Sequence, residues 1–312
     1  MNPSVPQIAR FFNYLFNNCK HEVTTIEGYR AAMQTAFRHR RSLQIGSNLE
    51  ITALIQHFRK MRPPRSRILP GWDISLVLWS LAEPPFEPIE DPKRVPLTFL
   101  TWKLAFLLLF ASGSRRGEIH AIKRSSVFIA ENDLYMTMSL DPNFVSKTGR
   151  RARENHKPIR IPALKQLSSR HTPKVLAMCP VRCVKTYLKR TRHIFGKRRL
   201  LLISPQKNRK SDITKITMSS WVKRLILYCY NNPSERVARQ MSIRTHDIRG
   251  IATTLLFKGT PAIEDIVTAG SWKSDNTFIS HYLKDLTEIN SEQLKRVGPI
   301  VAARKIIIHS KL

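Results

Sequence analysis

The run FLTWKLAFLLLFA, residues 99–111, constrains the fold more than any other part of the chain. Lys103 is its single charge, and at about 13 residues it falls short of the ~20 needed to cross a bilayer, so the run is expected to be a helix buried in a protein core. A chain of 312 residues that is 42% hydrophobic can enclose such a helix. At about 150 residues per domain it is expected to form two domains. Disordered, collagen-like and coiled-coil architectures do not fit this composition.

Upstream of the run, PQIARFFNYLFNN, TTIEGYRAAMQTAFRHRR and LEITALIQHFRKMR repeat apolar residues every three or four positions, which predicts a bundle of helices over residues 6–60. Thr24-Thr25 ahead of Glu27 reads as a helix start, and Gly46-Ser47-Asn48 as a break. The stretch RPPRSRILPGWD, residues 62–73, holds prolines and a glycine that no regular element tolerates. The expected division is therefore a helical domain over 1–62, a linker over 63–73, a second domain over 74–290 and a tail over 291–312. Within the second domain, ISLVLWSLA predicts a short helix, and the proline-rich residues 83–96 a loop or longer connection. LYMTMSL (134–140) alternates like a half-buried strand. NFVSKTG (143–149) and KPIRIPAL (157–164), separated by the basic RRARENH, are its predicted antiparallel partners. Helical patterns return after Pro180, so the expected fold class is mainly α with a small antiparallel β-sheet.

Charge narrows the partner. The chain carries 53 Lys and Arg against 22 Asp and Glu, a formal net charge of +31, far from an ordinary metabolic enzyme and suited to a polyanion. Cys19, Cys179, Cys183 and Cys229 have no C-x-x-C spacing and no nearby pair of His, so neither a metal site nor a disulfide framework is expected. Cys179 and Cys183, four apart, read as packing on one helix face. A reducing compartment fits best. The polar Met1–Arg10 and the short Phe11–Phe16 cluster make no secretory signal, and no lipidation motif or amphipathic anchor suggests a membrane partner.

Four scattered segments, SGSRRGEI (112–119), SKTG (146–149), HDIR (246–249) and AGSWKSDNTFISHYL (269–283), stand in an order that resembles the tyrosine recombinase (phage integrase-like) family. H-x-x-R alone is a weak signal in an Arg-rich chain; the ordered set is what carries the resemblance. It implies a helical core-binding domain followed by a catalytic domain that cuts and rejoins duplex DNA through a 3′-phosphotyrosine intermediate. Tyr282 falls on the nucleophile. Arg115 and Arg249 fall on the phosphate-binding guanidiniums, which hold the phosphate and stabilise the charge that grows on it. Lys147 falls on the general acid for the leaving 5′ oxygen, with Lys157 the alternative if the hairpin register shifts. His246 and Trp272 complete the set, and Glu118 is expected to orient Arg115 from behind. No metal and no small-molecule cofactor is needed. Trp272 in place of the commoner His, and the spacing from it to Tyr282, resemble the eukaryotic DIRS-like and crypton-type transposable-element branch, which implies a nuclear location.

DNA contact is expected from Arg30, Arg38, Arg40 and Arg41 in the second helix and beyond, and from the basic runs holding Arg150 and Arg151, and Lys189, Arg190, Lys197, Arg198 and Arg199. Solvated faces explain such runs about as readily. Sparse aromatic interleaving favours duplex over single strands. A homodimer or tetramer on paired sites is implied, with the segment after Tyr282 docking on a neighbouring protomer. The alternatives are a catalytically inactive DNA-binding descendant, topoisomerase IB-like relaxation, and a ribosomal or RNA-binding structural protein, which would explain the charge but not the ordered residues.

Overall fold

The computed structural model describes residues 3–37, 45–63, 71–146, 158–164, 173–206, 211–259 and 263. The chain divides into two compact units, Met1–Ile68 and Leu69–Leu312.

The first unit is three helices packed pairwise: α1 (Val5–Asn17), α2 (Val23–Ala36) and α3 (Leu49–Met61). Gln7 reaches back to accept from the Ser4 N–H at 2.7 Å, which closes the start of α1. Asn48 caps α3 by accepting from the Ile51 N–H at 2.9 Å. The apolar stripes meet in a core of Ile8, Phe12, Phe16, Ile26, Ile55 and Phe58, where the Phe16 and Phe58 rings stack 4.2 Å apart. Arg62 closes the bundle from the far end of α3. Its guanidinium lies 4.1 Å over the Phe16 ring and donates to the carbonyls of His21 and Phe16. Arg30 has a similar internal task, donating to the carbonyls of Ile45 and Gly46 and to Thr52 Oγ1. These bonds clamp Arg30 on the turn before α3. Arg38, Arg40 and Arg41 lie outside the described residues.

In the second unit the apolar run becomes α5 (Leu97–Ser112). Around it pack α6 (Arg116–His120), α8 (Pro180–Arg190), α9 (Lys215–Cys229), α11 (Thr245–Gly259) and strand β3 (Ile159–Pro162), so nearly every side chain from Leu100 onward is buried. Smaller helices complete the unit: α4 (Ile74–Ser80), capped by Asp73, α7 (Pro173–Ala177) and α10 (Glu235–Gln240). The proline-rich residues 83–96 are a loop of this unit and bury Phe86, Ile89 and Val95 in its core.

Lys103 lies wholly inside, with 0% of its side chain exposed. Its ammonium donates to the carbonyls of Leu81 (2.7 Å) and Phe86 (3.3 Å) and pairs with Glu87. Glu87 also takes a two-pronged bond from Arg182 of α8, at 2.9 Å on each oxygen, and Arg182 continues to Glu90. This network ties the 83–96 loop to α5 and α8. Burial pushes the Lys103 ammonium below its ordinary value, against the raising effect of Glu87. Burial alone would raise the Glu87 carboxyl, but the hydrogen bond from Arg182 and the charge of Lys103 outweigh it and hold the group below 4.5.

The sheet has three antiparallel strands in the order β1 (Phe128–Ile129), β2 (Tyr135–Met138), β3. Phe128 faces Thr137, and Met138 faces Ile159. The predicted alternation of β2 is realised, with Met136 and Met138 buried. Residues 147–149 of the partner predicted over 143–149 lie outside the described residues, and residues 143–146 add no strand to this sheet, although Val145 sits at a β-bridge. Asp141 instead holds them in a turn, its Oδ1 accepting from the Asn143 N–H and its carbonyl from the Phe144 N–H, both at 2.8 Å. The second edge is β1, too short to show a period in the sequence.

Candidate active site

The end of α5 sets the first part of the site. Gly113 adopts the left-handed conformation, φ 59°, and its N–H closes the helix on the Leu109 carbonyl. The chain then turns through buried Ser114, whose N–H donates to Ser112 Oγ at 3.1 Å, and reaches Arg115 at the start of α6. Glu118, one turn into α6, accepts from the Arg115 backbone N–H at 2.6 Å and from its guanidinium at 3.1 Å. One carboxylate therefore fixes both the backbone and the side chain of Arg115, leaving the guanidinium partly exposed. Arg116 leads away toward α9, where its Nη1 donates to Ser219 Oγ at 2.8 Å.

The second part comes from α11. Ile248, Ile251, Ala252, Leu255 and Leu256 bury one face of this helix against the core. That packing places the first turn, with exposed His246 and 3%-exposed Arg249, at the mouth of a cleft of about 720 Å³. Arg115, Glu118, His246 and Arg249 all line this cleft, although two come from the start of α6 and two from α11. Phe144, Val145 and Ser146 line it as well.

Among the described residues, six Arg or Lys side chains surround the cleft against a single carboxylate, Glu118, which Arg115 already engages. Such a cavity suits a multiply charged anion. Lys147, Lys157, Arg150, Arg151, Trp272 and Tyr282 lie outside the described residues.

Some cations of the cleft were not legible beforehand. Lys215 and Lys223 sit two turns apart on α9, and Arg244 precedes α11; none belongs to a motif or a dense basic run, so no pattern distinguishes them. The run at 189–199 is partly engaged within the protein. Arg190 donates to the Ile89 carbonyl, Arg198 to the Phe195 carbonyl, and Arg199 pairs with Asp141 and Asp212. Lys189 and Lys197 are exposed.

The architecture, a mainly helical unit with a small antiparallel sheet, matches the fold of tyrosine recombinase catalytic domains. Over 100% of this chain and 72% of the other, it is similar to XerH site-specific recombinase, solved bound to palindromic difH substrate as a post-cleavage complex, at 13% identity and a TM-score of 0.54. A lambda integrase (75–356) dimer bound to a COC′ core site matches at 18% identity, TM-score 0.49, over 93% of this chain and 83% of that one. XerA recombinase matches at 14% identity and TM-score 0.43, over 97% and 91%. No family model and no curated protein matches the sequence.

Proposed function

We propose that the chain is a tyrosine recombinase that cuts and rejoins duplex DNA at specific sites, without a metal or cofactor. The observation that carries this reading is the meeting of Arg115, Glu118, His246 and Arg249 in one cationic cleft, inside a fold shared with XerH. In the proposed reaction the Tyr282 oxygen attacks the phosphorus and the bond to the 5′ oxygen breaks. Lys147 protonates that leaving oxygen, and the DNA 3′ end remains on the tyrosine. Arg115 and Arg249 neutralise the charge that grows on the non-bridging oxygens, and His246 assists the proton carried by the tyrosine. Glu118 keeps Arg115 in place.

Rejoining strands from two duplexes requires two occupied sites, so we place the working form as a dimer or tetramer on DNA. The Trp272 and Tyr282 segment supports the finer reading of a transposable-element enzyme acting in the nucleus, which a fluorescent fusion excluded from nuclei would overturn.

The deciding experiment is covalent capture on a library of duplexes nicked so that religation is blocked, comparing the wild type with Tyr282→Phe. A denaturant-stable 3′ adduct that is lost in the variant is expected, and sequencing it gives the site. Binding with no adduct would instead make the chain a DNA-binding module without strand transfer.

A further inference from the structure

We propose that Arg116 and Lys215 form a second phosphate subsite, which takes a backbone phosphate of the duplex beside the one held by Arg115 and Arg249. The proposal rests on the recombinase reading and adds a substrate contact to it. Arg115 is the extended residue just ahead of α6 and Arg116 is the first residue of the helix, and the two side chains take different partners. Arg115 is tied to Glu118, and Arg116 to Ser219 on α9. The two guanidiniums thus serve different positions in one cleft.

Ser219 ties Arg116 to the helix turn that carries Lys215. Its hydroxyl accepts from Arg116 at 2.8 Å and donates to the Lys215 carbonyl at 3.2 Å. The Lys215 side chain runs along the first turn of α6, its Cε and Nζ 3.7 and 3.8 Å from where a Cβ on Gly117 would stand. Its ammonium lies 5.7 Å from the centre of the Phe144 ring. Among the described residues neither Arg116 nor Lys215 meets a carboxylate. Both cations line the one cleft, and like charges gathered there are eased by an anion among them. A DNA strand supplies it, because successive phosphates follow about every 3.4 Å along the helix axis, so an occupied first site brings neighbouring phosphates with it.

The test uses the duplex recovered by covalent capture, in which single phosphates flanking the cut are replaced one at a time by neutral methylphosphonate. For the wild-type protein, one such replacement is expected to lower the rate of adduct formation at limiting DNA about 10-fold, with the rate at saturation unchanged. Arg116→Ala is expected to show a similar loss on unmodified DNA and little further loss on that modified duplex. Arg116→Lys should recover part of it, and Lys215→Ala should behave like Arg116→Ala. Losses that simply add for every flanking phosphate would overturn the subsite, while adduct formation itself would leave the recombinase reading standing. If the wild type forms no adduct, that reading falls on its own. Binding of a random duplex then decides the subsite: a salt slope shallower by about 1 in Arg116→Ala supports it, and an unchanged slope rejects it.

Discussion

Two carboxylates do most of the positioning at the residue scale. Glu118 holds Arg115 by backbone and side chain together, so Glu118→Gln is expected to slow adduct formation about 10-fold while duplex affinity holds, which a rate and binding titration separates. Glu87 stands between the fully buried Lys103 and Arg182. Because its carboxyl is held below the ordinary 4.5, the stability it contributes is complete above that value and is lost as pH falls through the folded-state value. Glu87→Gln leaves the Lys103 ammonium buried without its counter-charge, an expected loss of about 3–5 kcal/mol near neutral pH. The same variant should flatten the acid limb of stability against pH, as followed by urea unfolding; an unchanged limb would mean another group controls it. Lys103 was visible in the sequence as the one charge in the apolar run, but its partners lie on a loop and on a helix that only the fold brings to it.

Among the elements, α5 was the most legible, since a run so apolar has one stable environment. β2 followed from its alternation, and α1–α3, α8, α9 and α11 from their apolar spacing. Residues 143–146, the described part of the strand expected over 143–149, start in a side-chain turn at Asp141, and β1 is too short to signal itself. The end of α5 matters more than its length suggests. Gly113 sits in the left-handed region, so Gly113→Val should cost about 1–2 kcal/mol of backbone strain. It should also displace Arg115, so that adduct formation falls further than the shift in unfolding midpoint explains; a matching fall in both would assign Gly113 to stability alone. In the first unit, Phe58→Ala removes one ring of the Phe16 stack and should cost about 3–5 kcal/mol, measured by thermal unfolding.

For the whole molecule, the net charge of +31 predicts association with duplex DNA that weakens steeply with salt. A plot of log affinity against log salt with a slope near zero would contradict a backbone-tracking interface. By itself the sequence determined the helical and strand segments that local spacing dictates, the cationic character of the chain and the ordered residues that resemble a recombinase, because each is a property of neighbours along the chain. The tertiary structure decided which cations act together. It placed Arg30 on backbone carbonyls, Lys103 in the core, and Lys215 and Arg116 in a cleft also lined by Arg115 and Arg249. A side chain's charge is written in its chemistry, but its task depends on what the fold packs against it, and those partners come from segments far apart in the chain.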